Sequence, residues 1–439
     1  MKIDTRWLAV LLTLGLAAFV ACSQRTVATR MEVVPAPQFE SDNPESIYAA
    51  DLNDSWNRIF RALFTRTVKA RLSSDFADGA PLVPFRVEMG SFDLRISREK
   101  LSRKEIGDRA IEPLYPTFFT AEGPAQVLSE PRFSELTAAL GEAIAETKSR
   151  SPVERALIQS DVWAAYDIIF PIGHGRKDKD PTFAERKAKL LALLSEFVHK
   201  LALSSEQIKS LRNNYRLAVV RQKLPDVFSP DSGWLEIELL PQRSHDRSSD
   251  YRRAARVFVK PRTIQSDPGA FVESLKHHQH LEDVEAVALV VQNLLIDASG
   301  KIVPSPLFSD VQFRFFTNDS RSATIETYEL SRRLLLTEPE SGGLVKYDQM
   351  APAYLSEAGN DYTFAGSIQE ADAPIVVPLR TRCTQCHGKS LVTLMTYSIH
   401  DFPPVPAARV LDRAKQERGL YVARIKESRA DFKSLFGVR

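Results

Sequence analysis

Three residues near the C-terminal end of the chain have the types and the spacing that can hold a prosthetic group. The stretch Cys383-Thr384-Gln385-Cys386-His387 places two thiols three positions apart, with a histidine directly after the second. Each thiol can form a thioether with a haem vinyl group, and the histidine then lies under the iron as the proximal ligand. The spacing predicts one covalently bound haem c, attached at Cys383 and Cys386, with His387 binding the iron.

The second axial ligand is predicted only as a choice between residues. After His387 the chain offers Met395 and His400, and either can reach the opposite side of a haem if the chain loops round its edge. Met395 suits ordinary core packing as well, because methionine fills gaps readily. Further candidates lie upstream and could return in three dimensions: Met350, His277, His278 and His280. For the three histidines a solvated turn is the favoured interpretation.

A zinc site and a disulfide are the alternatives to haem at the paired cysteines. Structural zinc is tetrahedral, and the chain has no second cysteine pair to complete such a site. A disulfide between Cys383 and Cys386 remains open in an oxidising compartment. The spacing, taken with the export signal at the N-terminus, favours haem.

The N-terminus predicts export and a lipid anchor. A basic start precedes an apolar run at 7–21, which has the length of a signal-peptide core and is short for a membrane span. The run ends in Phe19 to Ser23 (FVACS), which resembles the lipobox of bacterial lipoproteins. That resemblance implies a signal peptide at 1–21, acylation of Cys22, and a position on the periplasmic side of the cell envelope, at the outer rather than the inner membrane. An ordinary secretory signal with a chance cysteine is the alternative.

The composition is that of a folded protein with a balanced surface. Hydrophobic residues make up 44% and charged residues 26% of the chain, which are globular averages. A net charge of +2 gives no reason to expect nucleic acid as a partner. With three cysteines in all, acylation of Cys22 leaves no disulfide framework.

Positive charge is concentrated near the C-terminal end. From Arg409 to Arg439, nine basic residues face four acidic ones. One interpretation is that cations steer an acidic redox partner towards the haem edge, the candidates being Arg380, Arg382, Lys389 and Arg409. The other is a solvated helical face.

Periodicity along the chain predicts an α+β protein of several domains. A tether at 22–45 leads into a helix-rich part at 46–225, with helical patterns at 49–70, 132–147, 153–169 and 182–201. Ser204 and Gln207 stand at capping-box spacing. A β-rich or mixed part at 226–380 has strand-like runs at 234–240, 254–259, 284–296, 311–316 and 323–330. A small haem-binding segment with a helical tail follows at 381–439, in which Gly419 is predicted to divide the tail and Gly437 to cap its last helix.

The stretch from Arg380 to Lys389 resembles the attachment region of c-type cytochromes. Only 52 residues follow His387, and an extended segment, 374–380, precedes the motif. The small helical cytochrome c domain is therefore a poor match, and its distal methionine is not carried over. The resemblances to a cytochrome and a lipoprotein together cover a small fraction of the chain.

The resemblance implies a mono-haem lipoprotein that transfers single electrons to or from a redox partner protein. An electron carrier is favoured over a substrate-converting enzyme. The sequence contains no Gly-x-Ser-x-Gly, His-Glu-x-x-His, Walker or dinucleotide motif, so it names no substrate, but this absence does not exclude an enzyme. One competing hypothesis is a haem enzyme or sensor whose open sixth position binds a gas or peroxide. Another is a structural lipoprotein without haem, in which the two cysteines form a disulfide.

Overall fold

An antiparallel sheet with helices packed on it organises the part of the chain that the computed structural model describes. The described residues are 47–67, 70–72, 110–111, 114–116, 127–171, 181–238, 252–275, 283–317, 323–346, 352–355, 375–378, 409–410 and 417–437. They form a mixed α+β structure, as the sequence predicts. The predicted division into domains stays a prediction.

The helices have the following bounds: α1 Ser55–Phe64, α2 Arg132–Glu146, α3 Pro152–Ile169, α4 Pro181–Leu201, α5 Ser205–Ser210, α6 Asn214–Gln222, α7 Pro268–Leu275, α8 Arg332–Thr337, α9 Glu417–Ser428 and α10 Ala430–Leu435. The strands are β1 Thr65–Thr67, β2 Ala70–Leu72, β3 Ala110–Ile111, β4 Leu114–Pro116, β5 Leu235–Glu238, β6 Arg253–Pro261, β7 Val284–Ile296, β8 Ile302–Phe316, β9 Ala323–Leu330, β10 Leu344–Lys346, β11 Pro352–Leu355, β12 Ile375–Pro378 and β13 Arg409–Val410. None of the helices among these residues is both long enough and apolar enough to cross a membrane.

The largest sheet has the strand order β10-β9-β8-β7-β6-β5-β13, in which every neighbouring pair is antiparallel. The long strands β7 and β8 are joined by a tight turn. Asp297 accepts hydrogen bonds there from the backbone N–H groups of Ser299 and Lys301. Gly300 completes the turn at φ +82°, a conformation that residues with a Cβ rarely adopt. Two smaller sheets have the orders β1-β4 and β11-β12-β2-β3.

The two faces of the large sheet enter different apolar clusters. Phe258, Val290 and Phe313 belong to the main core, together with buried side chains of α1 to α4. On the other face, Val259 and Val287 pack against α7 in a second, smaller cluster. Directly paired residues on antiparallel strands point to the same face, so the register separates the two sets.

Two amide side chains join helices to the backbone of the sheet. Gln159 of α3 donates a hydrogen bond to the carbonyl of Ile296 and accepts one from its N–H, at 2.9 and 3.0 Å. Asn214 of α6 makes the same reciprocal pair with Phe308, at 2.9 and 2.8 Å. Buried backbone groups need such partners where the strand ladder leaves them unpaired.

Most predicted elements are confirmed within the described residues, including the capping box of Ser204 and Gln207. The first helix is shorter than predicted because it ends at Phe64 and gives way to β1, whose threonines are β-branched and favour extended backbone. The prediction that Gly419 divides the tail is wrong: the break falls at Arg429. The cap at Gly437 is confirmed by its φ of +65°.

Gly419 lies inside α9 for a packing reason. A Cβ at this position would stand 2.9 Å from Cγ of Pro304. The glycine therefore allows the helix to approach the start of β8 closely, and it does not interrupt the helix.

Candidate functional site

The predicted cofactor and lipid sites lie outside the residues that the structure describes. This holds for the haem-attachment residues and the lipidation candidate: Cys383, Cys386, His387 and Cys22. It holds equally for the candidate second ligands: Met395, His400, Met350, His277, His278 and His280. The haem, its ligands and the anchor remain predictions.

Two described strands bound the segment that contains the haem motif. Upstream, β12 ends at Pro378. This strand pairs antiparallel with β11 and parallel with β2. Its extended backbone confirms that a strand precedes the motif. Downstream, β13 begins at Arg409, which pairs with Glu238 of β5 at the edge of the large sheet. Residues 379–408 therefore begin and end at strands of two different sheets.

The chain that follows β13 is held by a buried cation. Lys426 of α9 has an exposed fraction of 0%, and its Nζ lies 2.7 Å from Oδ2 of Asp167 on α3 and 2.9 Å from Oδ2 of Asp431 on α10. Nε of Arg252, directly before β6, lies 2.9 Å from the same oxygen of Asp167. The Trp163 ring lies 5.7 Å from the ammonium nitrogen. Two acidic and two basic side chains therefore tie the tail to α3 and to the start of β6.

Part of the basic tail is a solvated face and part is not: Arg424, Arg429 and Lys433 are exposed, whereas two other basic residues are buried. Lys426 and Arg418 are both buried, and Nε of Arg418 donates a hydrogen bond to the carbonyl of Ala255 at 3.3 Å. The burial of Lys426 could have been predicted from the sequence. This lysine stands four and three positions after Val422 and Ala423, and residues at these spacings share one helix face. A lysine in line with an apolar face is a candidate for a buried pair.

The pKa values of the two carboxylates of the cluster are shifted in opposite directions. Burial raises the pKa of Asp167 to about 6, although Arg252 and Lys426 oppose the shift. Burial also tends to raise the pKa of Asp431, but Lys426 and then Arg429 outweigh it, so that this pKa lies below its usual value. Oδ1 of Asp167 has no hydrogen-bond partner among the described residues. Asp167 is thus a buried group that can exchange a proton near neutral pH.

A second buried ion pair joins α3 to α8. Nε and Nη2 of Arg332 lie 2.9 and 2.6 Å from the two oxygens of Asp161, a bidentate pair. The hydroxyl of Tyr48 also donates a hydrogen bond to Asp161. Burial, and after it the negative charge of Asp161, raises the pKa of Tyr48 well above its ordinary value. The tyrosine therefore stays neutral and acts as a donor.

A third buried pair supports the strand that β13 joins. Nε and Nη2 of Arg256 on β6 each lie 2.7 Å from an oxygen of Glu236 on β5. The guanidinium carbon lies 4.6 Å from the centre of the Phe228 ring, within range of a cation–π interaction. Because β13 pairs with β5, this ion pair helps to hold the strand at which residues 379–408 end.

The described groups hold the fold together and do not form a reaction centre that we recognise. Within the described ranges, no cluster of three or more histidine, cysteine, aspartate or glutamate side chains is placed to bind a metal ion. His199 is the one histidine in those ranges. Its ring lies 4.6 Å from that of Phe436, and burial lowers its pKa. This histidine packs the C-terminal end against α4.

The fold and its ion pairs define a mixed α+β protein built on an antiparallel sheet. No protein-family model, no curated protein and no solved structure matches the chain. Its function is therefore argued from its own residues.

Proposed function

We propose that this chain is an exported, lipid-anchored, mono-haem c-type cytochrome-like protein that passes single electrons to or from a redox partner. The observation that carries the proposal is the arrangement Cys383-x-x-Cys386-His387 in a chain whose first residues resemble a lipoprotein signal. Cys383 and Cys386 would hold the haem through thioethers, and His387 would bind the iron. When bound, haem supplies one-electron chemistry between ferrous and ferric iron.

The described frame around the segment supports this proposal. Residues 379–408 start from β12 and return to β13. Three buried ion pairs stabilise the scaffold to which β13 and the tail belong. An electron carrier benefits from a cofactor held by a rigid scaffold, because the residues that touch the cofactor keep their geometry only when the residues around them are ordered.

The proposed layout follows the sequence. A signal peptide at 1–21 and a tether at 22–45 precede a helix-rich part at 46–225 and a β-rich or mixed part at 226–380. The haem segment and its helical tail occupy 381–439. Cations at Arg380, Arg382, Lys389 and Arg409 would steer an acidic partner, so the electron-transfer rate should fall as ionic strength rises.

Intact mass and the visible spectrum of the exported full chain test the proposal. The protein is produced in a bacterium that assembles c-type cytochromes, beside a Cys383→Ser/Cys386→Ser variant as the matched control. We expect the mass of one haem and a haem spectrum in the wild type, and neither in the variant. A colourless protein whose mass equals the polypeptide plus lipid refutes the proposal, and a mass lower by two hydrogens indicates the disulfide.

Carbon monoxide separates the electron carrier from the alternative haem functions. A six-coordinate spectrum that does not respond to the gas supports electron transfer, whereas gas binding supports an enzyme or sensor with an open iron position. Met395→Ala and His400→Ala then identify the second ligand, because only the loss of the true ligand changes the spectrum and admits the gas.

A further inference from the structure

The face of the large sheet opposite the main core has an apolar half and a polar half. Across β6, β7, β8 and β9 the register places two rows of side chains on it, each row being one residue from each strand. The first row is Ala255, Val291, Asp310 and Glu329, and the second row is Val257, Leu289, Gln312 and Thr327. We call the surface formed by these two rows the outer face. Its β6–β7 half is apolar, and its β8–β9 half is polar.

Two buried oxygen atoms on this side of the sheet lack partners. Thr327, in the second row, has an exposed fraction of 5%, and its Oγ1 has no hydrogen-bond partner among the described residues. Asn293, two residues after Val291 on β7 and therefore on the same face, has an exposed fraction of 4%, and its Oδ1 is likewise unpartnered within the described ranges. An unmet buried polar group costs about 1–3 kcal/mol. A polar ligand group that met this surface would satisfy them.

A buried arginine and a helix over one end of the sheet also suit a ligand on the outer face. Arg314 lies one row beyond Gln312 on β8, is 5% exposed, and is a diagonal neighbour of Thr327 on the next strand. The cation and the hydroxyl therefore form one corner of the outer face suited to a carboxylate. Helix α7 stands over the same side of the sheet, packed on Val259 and Val287, and closes the outer face at one end.

We propose that the outer face is the surface on which the haem of residues 379–408 packs, with its macrocycle over Val257, Leu289 and Val291 and its propionates towards Arg314 and Thr327. The proposal rests on the proposed function. A haem needs an apolar contact surface with a few polar groups at its edge, and the outer face offers this combination. Oδ1 of Asn293 is then available to accept a hydrogen bond from a backbone N–H of residues 379–408.

The position of the segment's downstream end favours this occupant. β13 lies at the edge of the same sheet, three strands from β7, which is about 14 Å at the usual strand spacing. The chain from His387 to Arg409 can span about 70 Å when extended, so the haem can reach the outer face. The opposite face is filled by the main core, in which Phe258, Val290 and Phe313 are buried.

Thiol accessibility tests the proposal without relying on activity. Leu289→Cys is introduced into the haem-loaded chain and into the Cys383→Ser/Cys386→Ser chain, and the rate of reaction with a thiol reagent is measured. We expect the rate to be about tenfold lower in the haem-loaded chain, because the covered thiol reacts only after local opening. Ile264→Cys, at a fully exposed position, is the control and should react equally fast in both.

Equal rates for Leu289→Cys in the two chains, whether fast or slow, overturn the proposal. Protection that changes with protein concentration assigns the face to a second copy and also overturns it. If the wild type lacks the mass of a haem, the proposed function fails first, and that result is distinct from a haem-loaded protein with an accessible outer face.

The midpoint potential of Arg314→Gln is a second measurement, and a purely structural role of Arg314 would leave it unchanged. Loss of a cation beside the propionates stabilises the ferric form, so the midpoint potential should fall and the haem content should stay unchanged. The matched control is Arg212→Gln, on an exposed surface pair, and should leave the potential unaltered. If Arg314→Gln does not fold, Thr327→Val tests the same corner with a side chain of nearly the same shape. An unchanged potential in a folded, haem-loaded variant of this corner contradicts the assignment.

Discussion

Lys426 offers the sharpest test of how the C-terminal helices are attached. Replacement by methionine keeps most of the volume of the side chain and removes the ammonium group. Two hydrogen bonds to carboxylates are then lost, at 2.7 and 2.9 Å, from a side chain with an exposed fraction of 0%. Removing one partner of a buried ion pair costs about 3–5 kcal/mol, because the remaining charge loses its compensation.

The remaining partners set where in that range the loss should fall. Asp167 keeps Arg252 at 2.9 Å, and Asp431 keeps Arg429 at 3.3 Å. Asp167 can also take up a proton, since its pKa already lies at about 6. We therefore expect a loss of about 3 kcal/mol in the free energy of unfolding, at the lower end of the range for buried pairs.

Urea unfolding followed by tryptophan fluorescence measures this loss, and Trp163 reports on the site directly because it contacts Lys426. Lys433→Met is the matched control. It removes an exposed lysine from the next helix and should change the free energy of unfolding by no more than about 0.5 kcal/mol. A loss below about 1 kcal/mol in Lys426→Met would refute the idea that the buried cation attaches the tail.

Three further changes test the rest of the scaffold. Because the folded-state pKa of Asp167 is raised to about 6, the stability that its proton contributes is present below about pH 4 and is lost as pH rises through 6. Asp167→Asn should remove that dependence, worth about 3 kcal/mol, and thermal midpoints between pH 4 and 7 that vary identically in both proteins would disprove it. Arg332→Leu leaves a buried carboxylate on α3 without its cation and should cost about 3–5 kcal/mol in urea unfolding, whereas a loss typical of a surface pair would contradict a structural role. Gly342→Ala should cost more than about 2 kcal/mol, because φ is +76° and the new Cβ would overlap a backbone oxygen of α6, while Gly141→Ala, in open space within α2, should stabilise the protein slightly.

Local pattern predicted the long elements well. β7 coincides with the strongly apolar run at 284–296, and α3 begins with a proline after a capping serine. Such signals depend on neighbours within one or two turns, which a sequence displays directly. In the four-stranded sheet only β12 was indicated, by the extended segment 374–380; its other strands gave no comparable signal, because they contain two to four residues each.

The buried ion pairs could not be assigned from sequence because their partners are distant. Asp161 and Arg332 are 171 positions apart, and Asp167 and Lys426 are 259 apart. A charged residue on an apolar helix face indicates that it needs a partner, but it does not indicate which of many opposite charges is brought near. The prediction at Gly419 was wrong for a related reason, since its packing against Pro304 depends on a contact made only in the folded chain.

The attachment of the tail has a consequence for the proposed haem segment. A loop of thirty residues held at both ends carries a closure cost of about 3 kcal/mol relative to a free tail. β13 alone is a weak downstream anchor, because only two of its residues pair with β5. The buried pairs of Lys426 are of the same magnitude as the closure cost, and they lie on the helix that follows β13. The last two helices are therefore best understood as the anchor that holds the chain after β13 on the fold, which gives a structural reason for burying the charge of Lys426.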